Sequence, residues 1–195
     1  MNLLKGLRAY LSGPIEFCDN GGENWRRQIT PILQSMGVVV LDPTKMSNDI
    51  DEESRQKLFK KYRSEKNYEA LYKLSDNMRK FDLRLVDVSD FIIALVDQNI
   101  PMCGTWEELA TAVDQRKPIL LVWIGSKDQD GNFKSGIEAM SSWGFAQFKC
   151  FQNNGKYVID QSVFSNFDDL TDKLSQINNG KCEVDTRWVI FRPGS

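Results

Sequence analysis

Three stretches of this chain, residues 38–41 (VVVL), 91–96 (FIIALV) and 118–124 (PILLVWI), are apolar without alternation. A strand with one wet face alternates, so an unbroken apolar run describes a strand covered on both faces, as in parallel sheets. Between these runs the apolar residues recur every three or four positions. Trp25, Ile29, Ile32 and Leu33 mark a helix over residues 24–36, closed by Gly37, and Leu109, Ala112 and Val113 mark another over 104–115. Residues 8–12 (RAYLS) read as a first strand, broken by Gly13-Pro14. Residues 51–86 are long, charged and helical, as one helix or two. A polar loop (125–136), a short helix (137–143), a fifth strand (148–151), a helix (166–177) and a final strand (187–191) follow. Strand and helix alternate throughout. The predicted class is α/β: an open parallel five-stranded sheet with helices on both faces, flavodoxin-like or Rossmann-like in layout. A charged helical insertion at about residues 47–76 and an extra C-terminal strand complete it. The 195 residues are read as a single domain.

The chain contains no histidine. Ser-His-Asp triads, Cys-His dyads and HExxH zinc sites are therefore excluded. Any proton or bond chemistry falls to carboxylates, Ser, Thr, Tyr, Lys or Cys. The net charge of -2 and pI of about 5.3 disfavour bulk nucleic acid as a partner, since such binders carry a basic face. Cys18, Cys103, Cys150 and Cys182 are widely spaced, so neither a structural zinc site nor a disulfide framework is expected. No metal and no cofactor are expected. No run approaches the roughly 20 apolar residues of a spanning helix, and the N-terminus reads as a strand instead of a signal peptide. Those readings predict a cytoplasmic location, with no membrane partner.

In open parallel sheets ligands bind outside the carboxyl ends of the strands, near the switch in strand order. Four features fall there. Ser12-Gly13-Pro14-Ile15 follows the first strand, where glycine admits close backbone approach and serine offers a hydroxyl. A tight turn explains it equally. Cys103-Gly104-Thr105-Trp106-Glu107-Glu108 opens a helix: Glu107 points with Thr111 and Asp114 to water, whereas Glu108 lies beside the apolar face. A carboxylate in the first turn is favoured by the helix dipole and would stay ionised, as a nucleophile should, although glutamates suit a helix N-terminus in any case. Met78, Asp82 and Leu85 stand at i, i+4 and i+7, so Asp82 occupies a position where an apolar residue is expected. It needs a partner or a shifted pKa there. Asp97 ends the strand over 91–96. Carboxylates about 5 Å apart serve retaining glycosyl transfer, one attacking the anomeric carbon and one handling the leaving-group proton. Arg26, Arg27 or Arg84 could hold a phosphate, or be surface charges.

The motifs AYLSGPI, LDPT, RKFDLRLVDVSDFIIALVD, CGTWEELATA, KPILLVW and SSWG, in that order, resemble the nucleoside 2-deoxyribosyltransferase superfamily, which includes nucleoside-monophosphate N-glycosidases. The resemblance covers roughly residues 8–145. It implies that Glu108 is the nucleophile forming a covalent deoxyribosyl intermediate and that Asp82 assists protonation of the leaving base. Asp97 resembles the strand-end aspartate near sugar and base. Ser12, Gly13 and Ile15 match the pocket-lining loop; Asp42 of LDPT, and Gly104 and Thr105 before the glutamates, join the substrate-binding set. Ser141 and Ser142 lie where phosphate-accepting members place a serine from a neighbouring subunit. The resemblance implies a homo-oligomer acting on a small nucleoside or nucleotide. Trp106 stands where many members have glycine, the insertion is longer than in compact members, and residues 187–195 do not match the family.

Three other readings remain open: a hydrolase of nucleosides or their 5′-monophosphates with the same chemistry, a phosphoribohydrolase suggested by GTWEEL but lacking its Pro-Gly-Gly, and a non-catalytic nucleotide sensor on the same fold.

Overall fold

The structure, a computed structural model, describes residues 1–45, 52–127, 130–148, 151–153, 156–158, 162–182, 184 and 188–192. In chain order the elements begin with β1 (Arg8–Ser12), α1 (Glu23–Ser35), β2 (Val39–Leu41), α2 (Glu52–Ser64) and α3 (Tyr68–Val88). There follow β3 (Phe91–Asp97), α4 (Cys103–Asp114), β4 (Ile119–Lys127), β5 (Phe133–Ser135) and α5 (Ser142–Gln147). The last are β6 (Phe151–Asn153), β7 (Lys156–Val158), β8 (Val163–Phe164) and α6 (Phe167–Asn178).

Two of the unbroken apolar runs become β3 and β4 inside one sheet; the third, over residues 38–41, becomes β2 at the sheet's edge, where Val39 is exposed instead of covered on both faces. β2, β1, β3 and β4 lie side by side and parallel, with Tyr10 opposite Leu41 on one neighbour and Ile92 on the other. β8 adds a fifth parallel strand beyond β4, placing Val163 opposite Leu121. β5 pairs antiparallel with the far end of β4. Side chains alternate between the two faces along each strand. Leu11, Ile93 and Val122 meet Trp25, Ile29 and Leu33 of α1 and Leu170, Leu174 and Ile177 of α6. Tyr10, Ile92, Ala94 and Trp123 meet Leu85 and Val86 of α3 and Leu109 and Ala112 of α4. β1 has β2 on one side and β3 on the other, so the strand order reverses there. That switch opens a crevice at the carboxyl ends of β1 and β3.

Three segments refine or correct the sequence reading. The charged insertion resolves into α2 and α3 from residue 52 onward, while residues 47–51 of it lie outside the described residues. Asn67 caps α3 by accepting from the Ala70 N–H at 3.1 Å. α2 buries Phe59 and Arg55, and its Arg63 donates to Glu16 after β1 at 2.5 Å.

The fifth parallel strand is β8, not residues 148–151. Residues 149–150 lie outside the described residues, and Phe151 begins a separate hairpin of β6 and β7. A two-residue strand has no periodicity to read.

The final strand expected over 187–191 is a 3₁₀ turn at Val189–Phe191; Arg187 lies outside the described residues. Trp188 and Phe191 are both buried, and i, i+3 spacing suits a 3₁₀ turn, in which those positions eclipse. Phe191 packs edge-on against Phe91 at 5.3 Å and against Trp188 at 5.7 Å. No helix among the described residues is long and apolar enough to cross a membrane.

Candidate functional site

Tyr10 and Ser12 stand two residues apart on β1 and so face the same way, toward α4. The Tyr10 hydroxyl donates to Glu108 Oε1 at 2.9 Å and the Ser12 hydroxyl to Glu108 Oε2 at 2.5 Å. Both hydroxyl residues are fully buried, and Glu108 is 9% exposed. The carboxylate therefore sits at the carboxyl end of β1, beside the switch in strand order, with each oxygen held by one donor.

α4 starts at Cys103, which makes Glu108 its sixth residue and places it in the second turn instead of the first. The helix dipole acts mainly within the first turn. Burial instead dominates and pushes the Glu108 carboxyl above its ordinary value, against the pull of Ser12, Tyr10 and Arg26. Burial, followed by the charges of Glu108 and Asp82, holds the Tyr10 hydroxyl well above the usual range. Tyr10 is thus protonated and a donor. Glu107 turns outward, as its helical position predicts, and pairs with Arg79 of α3.

Asp82 is buried on α3 with Leu85 and Val86, and its charge is felt at Tyr10. Asp97 is half-buried at the end of β3. Its Oδ1 accepts from the Asn99 backbone at 2.9 Å and side chain at 2.8 Å, which shapes the loop toward α4. Thr105 is buried, whereas Gly104 is exposed and a Cβ on it would meet nothing within 4 Å. Gly13 has a packing reason: a Cβ there would stand 2.9 Å from the Trp25 ring and 3.3 Å from Leu95 Cβ. Ile15 is half-buried in the same loop. Asp42, at the end of β2, is buried; its Oδ1 accepts from the Thr44 N–H and hydroxyl and lies 3.8 Å from Arg26 Nε. Ser141 and Ser142 are exposed, and Ser141 caps α5 by accepting from the Gly144 N–H at 3.2 Å. Among the described residues, the hydrogen bonds to the Glu108 carboxylate come from Tyr10 and Ser12 and not from either of these serines.

The placement of two residues escaped the sequence reading. Tyr10 reads as core within a buried strand, yet it shares a face with Ser12. Arg26, considered as a phosphate holder, is 1% exposed with its guanidinium spent on backbone carbonyls. The available signal is the stripe Arg26, Ile29, Leu33, at i, i+3 and i+7, the same anomaly that singles out Asp82. Arg27 and Arg84 are exposed.

A family model described as nucleoside 2-deoxyribosyltransferase matches residues 9–153, a span that holds Tyr10, Ser12, Asp82, Asp97 and Glu108. The chain belongs to the nucleoside 2-deoxyribosyltransferase family. The matched span runs from β1 to β6, so β8, α6 and the 3₁₀ turn lie beyond the part this deoxyribosyltransferase-like chain shares with the family model. Among solved structures, a 2-deoxyribosyltransferase from the psychrotolerant bacterium Bacillus psychrosaccharolyticus aligns with 17% identity and a TM-score of 0.40. The alignment covers 58% of this chain and 70% of that one. No curated protein matches the chain.

Proposed function

We propose that this chain exchanges the base of a (deoxy)nucleoside or nucleoside 5′-monophosphate through a glycosyl ester on Glu108. The observation that carries the reading is a buried carboxylate at the switch of the parallel sheet, each oxygen held by a hydroxyl of β1.

A Glu108 oxygen attacks the anomeric carbon while the glycosidic C–N bond breaks and its electron pair goes to the base nitrogen. Asp82 assists protonation of that nitrogen. The sugar is then an ester of Glu108. A nitrogen of a second base attacks the same carbon, its proton passes to Asp82 to replace the one given to the first base, the ester C–O bond breaks, and the Glu108 carboxylate is restored. Water as the acceptor turns the same cycle into hydrolysis. Tyr10 and Ser12 orient the carboxylate, and their hydrogen bonds stabilise it when it leaves the sugar. Asp97 and the loop of Ser12, Gly13 and Ile15 line the sugar and base, with Asp42 behind them and Gly104 and Thr105 at the approach to the carboxylate. The open space at Gly104 leaves room for a ligand there. The chain works as a homo-oligomer in the cytoplasm, with exposed Ser141 and Ser142 offered to a neighbour's site. Light scattering of the purified protein measures the subunit count, and a monomer contradicts that part.

The reaction is tested by chromatography of free base from a panel of deoxynucleosides and their monophosphates, each with and without a second base. Base release that requires the acceptor and yields a new nucleoside supports exchange. Release without an acceptor assigns hydrolysis. Binding with no release from any substrate refutes the catalytic reading.

A further inference from the structure

Arg26 of α1 is a buried charge that the glycosidic chemistry does not itself employ. Its Nε and Nη2 donate to the Leu11 carbonyl, both at 3.2 Å, and Nη2 also donates to the Gly13 carbonyl at 2.9 Å. Those two carbonyls belong to the residues on either side of Ser12. Nη1 donates to the Gly22 carbonyl at 2.9 Å, tying the same group to the entrance of α1. Asp42 lies 3.8 Å away at the end of β2, and the Trp25 ring lies 4.6 Å from the guanidinium carbon. Gly22 has φ +69, and a Cβ on it would stand 2.1 Å from the Pro14 carbonyl oxygen and 2.8 Å from Arg26 Nη1. The loop after β1 and the guanidinium are thus fitted around one another.

Taking an arginine out of water is costly unless its donors are satisfied. A planar fork of five N–H groups can grip several carbonyls at once, which an ammonium on a flexible stem does not. We infer that Arg26 is a positioning residue for the glycosyl transfer: it fixes the backbone on both sides of Ser12 so that the serine hydroxyl meets Glu108. This inference rests on the reading of Glu108 as nucleophile. A second effect accompanies the first. The Glu108 carboxylate is faced by Tyr10 and Ser12 from β1, by Glu107 from its own helix and by the charge of Arg26 from α1, while Asp82 of α3 acts on Tyr10. Among these, Arg26 is the cation that favours the ionised carboxylate.

The test is a double-mutant cycle on kcat and KM, with thermal unfolding as the check of fold. Arg26→Lys and Arg26→Gln are each expected to lower kcat about ten-fold or more while KM moves less than about two-fold. In a Ser12→Ala background the further loss should shrink to about two-fold or less, because residues acting through one contact are not additive. Unchanged kcat, or losses that multiply fully, overturns the inference. A measurement on the unaltered chain covers variants that do not fold. In nitrogen-15-labelled protein the Arg26 Nε–H resonance should shift over the pH range in which kcat/KM rises, and Glu108→Gln should abolish that shift. A resonance indifferent to that step, or one that still shifts in Glu108→Gln, contradicts the coupling. If Glu108→Gln keeps full turnover, the nucleophile reading fails first and this inference with it, a result separable from any change at Arg26.

Discussion

Glu108 sits where folding works against its charge. Its folded pKa is raised, chiefly by burial. Between the ordinary carboxylate value and the raised one, the folded chain therefore holds a proton that the unfolded chain releases. The stabilisation from the protonated carboxyl is complete below the ordinary value and is lost as pH rises through the raised one. Above the raised value, the ionised Glu108 carboxylate is a net cost to folding. Glu108→Gln is accordingly expected to raise the thermal midpoint at pH above the raised value, with the gain shrinking as pH falls through that value and gone below the ordinary one. The same variant should lose about a thousand-fold or more in base release, whereas Glu107→Gln, which loses only a surface pair with Arg79, should lose little. Equal losses from the two would contradict the assigned roles. Ser12→Ala removes one charge-assisted hydrogen bond and should cost about 10–100-fold in kcat/KM, the equivalent of roughly 1.5–3 kcal/mol; steady-state kinetics measures it. The burial of Glu108 and Asp82 is legible in sequence because each lies on or beside an apolar stripe. The role of Tyr10 is not, since its partner lies 98 residues away and a tyrosine in a buried strand looks like filling.

At the scale of elements, α3 must end firmly for Asp82 to stay in place. Lys117, just before β4, donates to the carbonyls of Val86, of Asp87 at 2.8 Å and of Ser89 at 2.7 Å. One ammonium thereby caps the end of α3 and the turn into β3. Partial burial lowers its pKa, against the pull of Asp87 and Asp90. Lys117→Met should leave these carbonyls short of donors and cost about 1–3 kcal/mol of stability, read from urea unfolding. A variant as stable as the parent would show that water replaces the lysine fully. The helices and the longer strands β1, β3 and β4 are readable because each carries its pattern over five residues or more. β8 is too short to show one, and the turn at Val189–Phe191 imitates a strand because four consecutive apolar residues, 188–191, hide an inward pair at i, i+3.

For the whole molecule, two apolar layers cover the two faces of the sheet, and the carboxylate lies on the α3 and α4 side. The C-terminal turn closes the opposite layer, where Phe191 packs on Phe91 of β3. Phe191→Ala should cost about 3–5 kcal/mol by chemical denaturation, with turnover per folded molecule unchanged. A selective loss of turnover would mean that the two layers are coupled more tightly than the packing implies. The layered α/β plan is legible because it is written in local periodicity. The clamp of Arg26 on β1 is not, because it depends on carbonyl directions that only the folded loop fixes.

The central claim is that Glu108 carries the sugar. The most direct measurement is peptide mass mapping of protein acid-quenched during turnover of a nucleoside in the absence of acceptor base. A mass increase equal to one glycosyl group on the peptide containing Glu108, absent from Glu108→Gln, is the predicted result. Base release with no adduct, or with an adduct on another residue, would contradict it.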